Sequence, residues 1–332
     1  MTVLAGDVGG TKTLLTLAER GPDGRPRVLA EQRYVSGEHA DFTALVRDFL
    51  THNEADAIDA ACFAVAGPVE RGRDGVGARL TNLPWRLSEG ALARDLGIAG
   101  VALINDFEGI AHSLGALGPD DLVTLQAGTP EPGGVRLVAG AGTGLGICAI
   151  CPGSDVRTLP TEGGHAGFAP ADAREARLWA FIAAREGRCT REHLLTGRGI
   201  ARILNFIAAD EGLLPGEALV AAMQQEDPAA AISRFGLAGD DDAAQATLDL
   251  FCRIYAGQLG DLALSFLPRG GLYVAGGIAP RLIERIRRPA FLDAFNAKPP
   301  MQAVVRAIPL HVITETRAGL IGAAMQALGR HD

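Results

Sequence analysis

Three short glycine-containing loops are the first places in this sequence where chemistry could happen: residues 7–13, 140–146 and 276–278, each directly after an apolar run. Glycine lets the backbone approach a ligand, and successive N–H groups beside the hydroxyls of Thr11 and Thr143 suit the oxygens of a phosphate chain. Taken alone, each loop reads as a tight turn. A second set of residues is ionisable. Asp106 follows the apolar run 101–104 and precedes a helical pattern at 107–117. Glu162 and His165 share the segment Thr161-Glu162-Gly163-Gly164-His165, and Glu192 comes just after Thr190. Singly these read as a helix N-cap, a polar turn and a first-turn acid favoured by the helix dipole. Their joint occurrence with three phosphate-type loops sets those ordinary roles aside.

The surrounding elements explain how such residues could be held. Val3-Leu4-Ala5-Gly6 reads as a buried strand, and residues 14–18 as its hairpin partner across the first loop. Phe42, Leu45, Val46, Phe49 and Leu50 recur at helical spacing. Residues 60–66, 101–104, 272–275 and 309–313 read as further buried strands. The strand, Gly/Thr turn, strand figure returns at 135–150, which predicts two halves built on one plan. From Ala173 onward helices dominate, ending in an Ala- and Gly-rich helix at 318–328. Strands alternating with helices mean an α/β fold, with a boundary near residues 115–119.

Several function classes fall away. A net charge of −8 lacks the basic footprint of a nucleic-acid binder. No Gly-Lys dipeptide exists, so a P-loop is excluded, and Gly140, Gly142, Gly144 and Gly146 alternate strictly where a dinucleotide fingerprint would not. Cys148 and Cys151 have C-x-x-C spacing, but an offset of three puts them on opposite faces of a strand, without a second Cys/His pair for zinc. Five scattered cysteines, with no basic and apolar leader, predict a cytoplasmic protein that does not engage a membrane.

The whole arrangement resembles the bacterial glucokinase family, within the superfamily of hexokinase, actin and the heat-shock chaperone ATPase domain. Asp7-Val8-Gly9-Gly10-Thr11 is similar to its first phosphate loop, and Gly140-Ala141-Gly142-Thr143-Gly144-Leu145-Gly146 to its second. Ala275-Gly276-Gly277-Ile278 looks like its adenosine segment, and Ile104-Asn105-Asp106-Phe107 like its catalytic stretch. Glu162-Gly163-Gly164-His165 and Arg191-Glu192-His193-Leu194-Leu195-Thr196-Gly197 match its sugar-binding segments in order. Lys12 stands where enterobacterial-type members have Asn; a sister group of repressors and kinases often has Lys there, but also a Cys-rich zinc motif absent here. Residues 71–77, ahead of Thr81 and Asn82, look like an inserted surface loop.

The resemblance implies a two-domain actin-like ATPase (ribonuclease H-like) fold with an interdomain active-site cleft. It implies a small domain of residues 1–115 with 308–332, and a large one of 116–307. Glucose would be held by Asn105, Asp106, Glu162, His165 and Glu192, with Asp106 as catalytic base. ATP would meet Asp7, Gly9, Gly10, Thr11, Lys12, Gly142, Thr143, Gly144, Gly276 and Gly277, with Asp7 helping to hold Mg²⁺. A homodimer is expected. The rival readings are a same-fold kinase of fructose, mannose or an N-acetylhexosamine, a sugar-responsive regulator, and a chaperone-type or cytoskeletal ATPase. A regulator needs a DNA-binding segment, for which no room is expected before Asp7.

Overall fold

Apolar runs punctuated by glycine become the strands of two similar sheets. The computed structural model describes residues 1–55, 57–73, 75–80, 83–151, 153 and 157–329. The chain forms two compact units: Met1–Asp121 with Thr158–Pro160 and the segment from Glu315, and Leu122–Arg157 with Thr161–Thr314.

The first unit contains β1 (Thr2–Val8), β2 (Lys12–Arg20), β3 (Pro26–Val35), β4 (Ala60–Val65), β5 (Val69–Gly72), β6 (Gly75–Arg79), β7 (Arg86–Ser88) and β8 (Gly100–Asn105). Its main sheet has the order β3-β2-β1-β4-β8, with β1, β4 and β8 parallel. Every residue of β4 is buried, which is why it reads as an unbroken apolar run rather than an alternation. One face is covered by the helices Phe42–His52 and Glu89–Leu96, whose Phe42, Leu45, Phe49 and Leu92 join Leu4, Phe63 and Leu103. Phe42 meets Phe63 edge to face, ring centres 4.9 Å apart.

The other face is made of small residues. Val3, Ala5, Ala60, Cys62, Ala64 and Ala102 meet Leu320, Ala323, Ala324 and Ala327 of the helix Ala318–Leu328. The helix Asp106–Ser113 follows β8 and packs on that same C-terminal helix, backbone to backbone. A Cβ on Gly322 would fall 1.6 Å from the Gly109 carbonyl oxygen, and one on Gly109 would lie 2.8 Å from Ala64 Cβ and 3.1 Å from the Gly319 carbonyl oxygen.

The second unit contains β9 (Leu122–Gln126), β10 (Arg136–Ala141), β11 (Leu145–Cys151), β12 (Arg157–Thr161), β13 (Gly271–Ala275) and β14 (Leu310–Ile313). Its sheet order is β12-β11-β10-β13-β14-β9. The first five positions repeat the plan of the other sheet: a hairpin, then a strand parallel to its first arm, then another. Helices Ala173–Glu186, Gly197–Asp210, Pro228–Ala238 and Pro289–Asn296 surround the 25-residue helix Asp242–Phe266. Asp172, Thr196, Asp227 and Asp241 cap helix starts by accepting backbone N–H bonds.

Three features differ from the sequence reading. Within 71–77, Arg71 and Gly72 pair with Val76 and Gly75 in a hairpin rather than a loop; Asp74, Thr81 and Asn82 lie outside the described residues. The segment 308–314 stays with the second unit, because β14 pairs with β13 on one side and β9 on the other. Helix Pro228–Ala238 was not expected, although Asp227-Pro228 is a helix-start signal. None of the five cysteines forms a disulfide. Among the described residues no helix is long and apolar enough to cross a membrane.

The glycine seam gives a stability prediction. Gly322→Ala forces the two helices apart and costs about 1–3 kcal/mol by overpacking. Gly257→Ala, on the long helix with nothing within 4 Å of the new methyl, raises stability by about 0.5–1 kcal/mol through helix propensity. Thermal unfolding checks both; equal responses of the two variants contradict the seam.

Candidate active site

In the first unit the β1–β2 turn is fixed from behind. Gly9 N–H donates to the Lys12 carbonyl at 3.0 Å, leaving Gly10 and Thr11 at the tip. Buried Ser36 donates its hydroxyl to the Gly9 carbonyl at 2.8 Å and its N–H to the Thr11 carbonyl at 3.1 Å. The Ser36 hydroxyl also lies 2.9 Å from that of Thr13. Thr11 and Lys12 remain exposed. Asp7 lies one residue before the end of β1. The first turn of the C-terminal helix lies beside it: a Cβ on Gly319 would make ordinary van der Waals contact, 3.4 Å from Asp7 Cγ and Oδ2.

Asp106 is the first residue of its helix, and Asn105 is the cap. Asn105 Oδ1 accepts the Phe107 N–H at 3.0 Å, and its Nδ2 donates to the Gly67 carbonyl at 3.3 Å. Glu108 reaches back to the Asn105 N–H at 3.4 Å and accepts the Thr158 hydroxyl at 2.6 Å. Asp106 therefore does not spend its carboxylate as the cap. Its Oδ1 shares the Phe107 N–H at 2.9 Å. Burial pushes Asp106 up to about 6, the Phe107 N–H pulls the other way, and the negative charge of Asp7 pushes it further up. Asp7 is itself raised by burial, partly offset by Lys12.

In the second unit two glycine loops lie side by side. β10 runs parallel to β13 with Gly140 opposite Ala275. A Cβ on Gly140 would fall 2.1 Å from the Ala275 carbonyl oxygen, and one on Gly276 2.4 Å from that of Ala141. Gly276 has φ +84°, which glycine adopts freely. Wholly buried Tyr255 accepts the Ala141 N–H at 3.1 Å just before the turn. Within the turn Gly142 N–H donates to the Gly144 carbonyl at 2.9 Å, and Thr143 is exposed. Gly277, also exposed, precedes the short helix Ile278–Arg281.

Glu162, His165 and Glu192 converge in this unit. His165 Nε2 is 3.8 Å from Glu162 Oε2, and its Nδ1 is 3.8 Å from Glu192 Oε1. Both distances exceed a hydrogen bond but lie within ion-pair reach when His165 is protonated. Arg191 steadies the segment by donating to Gln258 Oε1 at 3.0 Å and to the Gly163 carbonyl at 3.4 Å. Among the described residues no three His, Cys, Asp or Glu groups gather as a metal site.

The sequence profile of the glucokinase family matches residues 4–329. A glucokinase of Synechocystis sp. is 38% identical over 348 aligned residues, covering 98% of this chain and 97% of the relative. This chain belongs to the glucokinase family. A solved glucokinase from an Antarctic psychrotroph superposes with a TM-score of 0.86 at 27% identity, covering 98% of each chain. The glucokinase of Balamuthia mandrillaris, solved with glucose, superposes at 0.80 with 21% identity over 99% of this chain and 94% of that one. The fold is the actin-like ATPase fold of these sugar kinases.

Within this family member the sequence motifs fall into two groups. Asp7, Gly9, Gly10, Thr11, Lys12, Asn105 and Asp106 lie in the first unit; Gly142, Thr143, Gly144, Glu162, His165, Glu192, Gly276 and Gly277 lie in the second. Sequence reasoning missed Ser36, Tyr255, Arg191 and the Glu108–Thr158 pair. Only Glu108 had a local signal, the capping-box spacing Asn105-x-x-Glu108. The Cys148 and Cys151 thiols are buried and half-buried on β11.

The raised Asp106 predicts a stability effect whose sign follows from linkage. The folded chain holds the Asp106 proton up to about pH 6, whereas an unfolded aspartate releases it near 3.9. The stabilising contribution is thus full below the unfolded value and lost as pH rises through about 6. Asp106→Asn, which never ionises, is expected to be more stable than the parent at pH 8 by about 1–3 kcal/mol, falling by more than half towards about pH 4.5. Urea unfolding in metal-free buffer at the two pH values checks this; a destabilised variant at pH 8 contradicts it.

Proposed function

We propose that this chain transfers the γ-phosphoryl group of ATP to the 6-hydroxyl of glucose, giving glucose 6-phosphate and ADP. One observation carries the reading: an aspartate at a strand–helix junction, spared from capping, with its pKa pushed up to about 6. A base with that value is ionised at neutral pH and still basic enough to take a proton. Asp106 accepts the 6-hydroxyl proton as that oxygen attacks the γ-phosphorus. Asn105, Glu162, His165 and Glu192 hold the other hydroxyls by hydrogen bonds, the charged ones being the stronger. A sugar lacking a matching hydroxyl leaves one of these groups unpaired, which is the source of selectivity.

ATP meets the backbone of Gly9, Gly10, Gly142 and Gly144, the hydroxyls of Thr11 and Thr143, and the exposed ammonium of Lys12. Gly276 and Gly277 leave room for the nucleoside. Mg²⁺ fits the first unit: burial leaves the Asp7 carboxylate short of compensating charge, partly offset by Lys12. Asp7 would hold the ion together with phosphate oxygens and water, since magnesium keeps much of its hydration. When bound, the ion neutralises charge on the transferring phosphate. Offsetting Asp7 also relieves its repulsion of Asp106 and favours the ionised base. The reading places the enzyme in the cytoplasm as a homodimer; cysteines without disulfides suit a reducing compartment, and the dimer rests on family resemblance.

A coupled ADP-release assay with MgATP over a panel of hexoses tests the proposal. Glucose should exceed fructose, mannose and N-acetylhexosamines in kcat/KM, with an acid limb near pH 6. Asp106→Asn should remain folded and lose roughly 10²–10⁴-fold in kcat. Near-normal turnover in that variant, or no preference for glucose, contradicts the assignment.

A further inference from the structure

Glu192 has two faces. Its Oε1 looks towards His165 at 3.8 Å. Its Oε2 accepts the Leu145 N–H at 3.0 Å, on the residue that ends the second glycine turn. The contact is tight: a Cβ on Gly144 would come within 2.9 Å of that same oxygen. Two further bonds close the connection. Gly197 N–H donates to the Gly142 carbonyl at 3.1 Å, and the Thr196 hydroxyl donates to the Glu192 carbonyl at 3.1 Å. Residues 192–197 and 142–145 are thereby linked at both ends of the turn. Among the described residues Glu162 shows no such tie; its carboxylate is largely exposed and lies 3.8 Å from His165.

We infer that Glu192 is a positioning residue for the phosphate turn as well as a sugar contact, so that sugar and nucleotide binding are coupled through one carboxylate. The inference rests on the reading above, in which Glu192 meets the sugar. A hydroxyl donating to Oε1 fixes the side-chain rotamer, and the fixed rotamer holds Oε2 on the Leu145 N–H. The turn then presents its N–H groups in one arrangement before the nucleotide arrives. Linkage makes the effect reciprocal: a nucleotide that orders the turn orders Glu192 for the sugar.

Calorimetric titration with MgADP in the absence of sugar tests this, because a mere sugar contact does not alter that affinity. Glu192→Ala should weaken MgADP binding by about 3- to 10-fold, the effect of losing one charge-assisted hydrogen bond to a backbone donor. Glu192→Gln, whose amide oxygen still accepts from Leu145, should bind MgADP nearly as the parent does while its glucose KM rises. Glu162→Ala should leave sugar-free MgADP binding unchanged. In the reverse direction, Gly144→Ala displaces the Glu192 carboxylate and should weaken glucose binding several-fold in nucleotide-free enzyme; this variant decides the matter if Glu192→Ala does not fold. Parent-like MgADP binding by a folded Glu192→Ala, or an equal loss in Glu162→Ala, overturns the inference. Loss of MgADP affinity in Glu192→Ala together with a parent enzyme that does not phosphorylate glucose overturns the proposed reaction and leaves the positioning role standing.

Discussion

The Gly109 carbonyl oxygen occupies the space that any side chain on Gly322 would need, and the rest of the first unit is arranged around that contact. Two helices that touch through backbone cannot slide without a large steric cost, because protein interiors are close-packed. One of them begins with Asp106 and the other brings Gly319 beside Asp7. The seam therefore fixes two carboxylates that repel each other. Neither would be held there by its own electrostatics, since burial favours the protonated form of both and the charge of Asp7 adds to this at Asp106. Packing energy elsewhere, from Phe42, Phe63 and the small-residue face under the C-terminal helix, maintains a site that is locally unfavourable.

The second unit solves a related problem by hydrogen bonding. Its turn at residues 141–145 is set by long-range partners: Tyr255 on Ala141, Glu192 on Leu145, Gly197 on Gly142. The same sheet plan appears in both units, yet one braces its phosphate-type loop with a buried serine and the other with a tyrosine and a carboxylate. A repeated scaffold carries different fittings, which is what specialised halves of one catalyst require. Family membership says which reaction class to expect; the seam, the spared Asp106 oxygen and the two-faced Glu192 say how these residues could carry it out.

What was legible in the sequence was local. Glycine after an apolar run marked all three loops, because a missing Cβ is visible in the letter itself. The recurrence of strand, Gly/Thr turn, strand announced the twin sheets. Asp106 read alone as a helix N-cap; it stood out only together with the three loops and through the family resemblance. The sequence did not show that Asn105 takes the capping role and spares Asp106, since both residue types cap well. It did not show Ser36 or Tyr255 either, because a bond from Tyr255 to a backbone group 114 residues away leaves no spacing pattern. The hairpin of β5 and β6 was read as a loop for a different reason: the six glycine or charged residues in a row at 70–75 lack the alternation that marks a half-buried strand. The end of the large unit was misplaced because an apolar strand such as β14 names no sheet; only its pairing with β13 and β9 does.

A crystal structure with glucose, Mg²⁺ and a non-hydrolysable ATP analogue tests the central claim most directly. The account predicts the Asp106 carboxylate within hydrogen-bond reach of the sugar's 6-hydroxyl, about 2.6–3.2 Å, with Asp7 facing the metal. A 6-hydroxyl held by another side chain, with the Asp106 carboxylate turned away from it, would contradict the account.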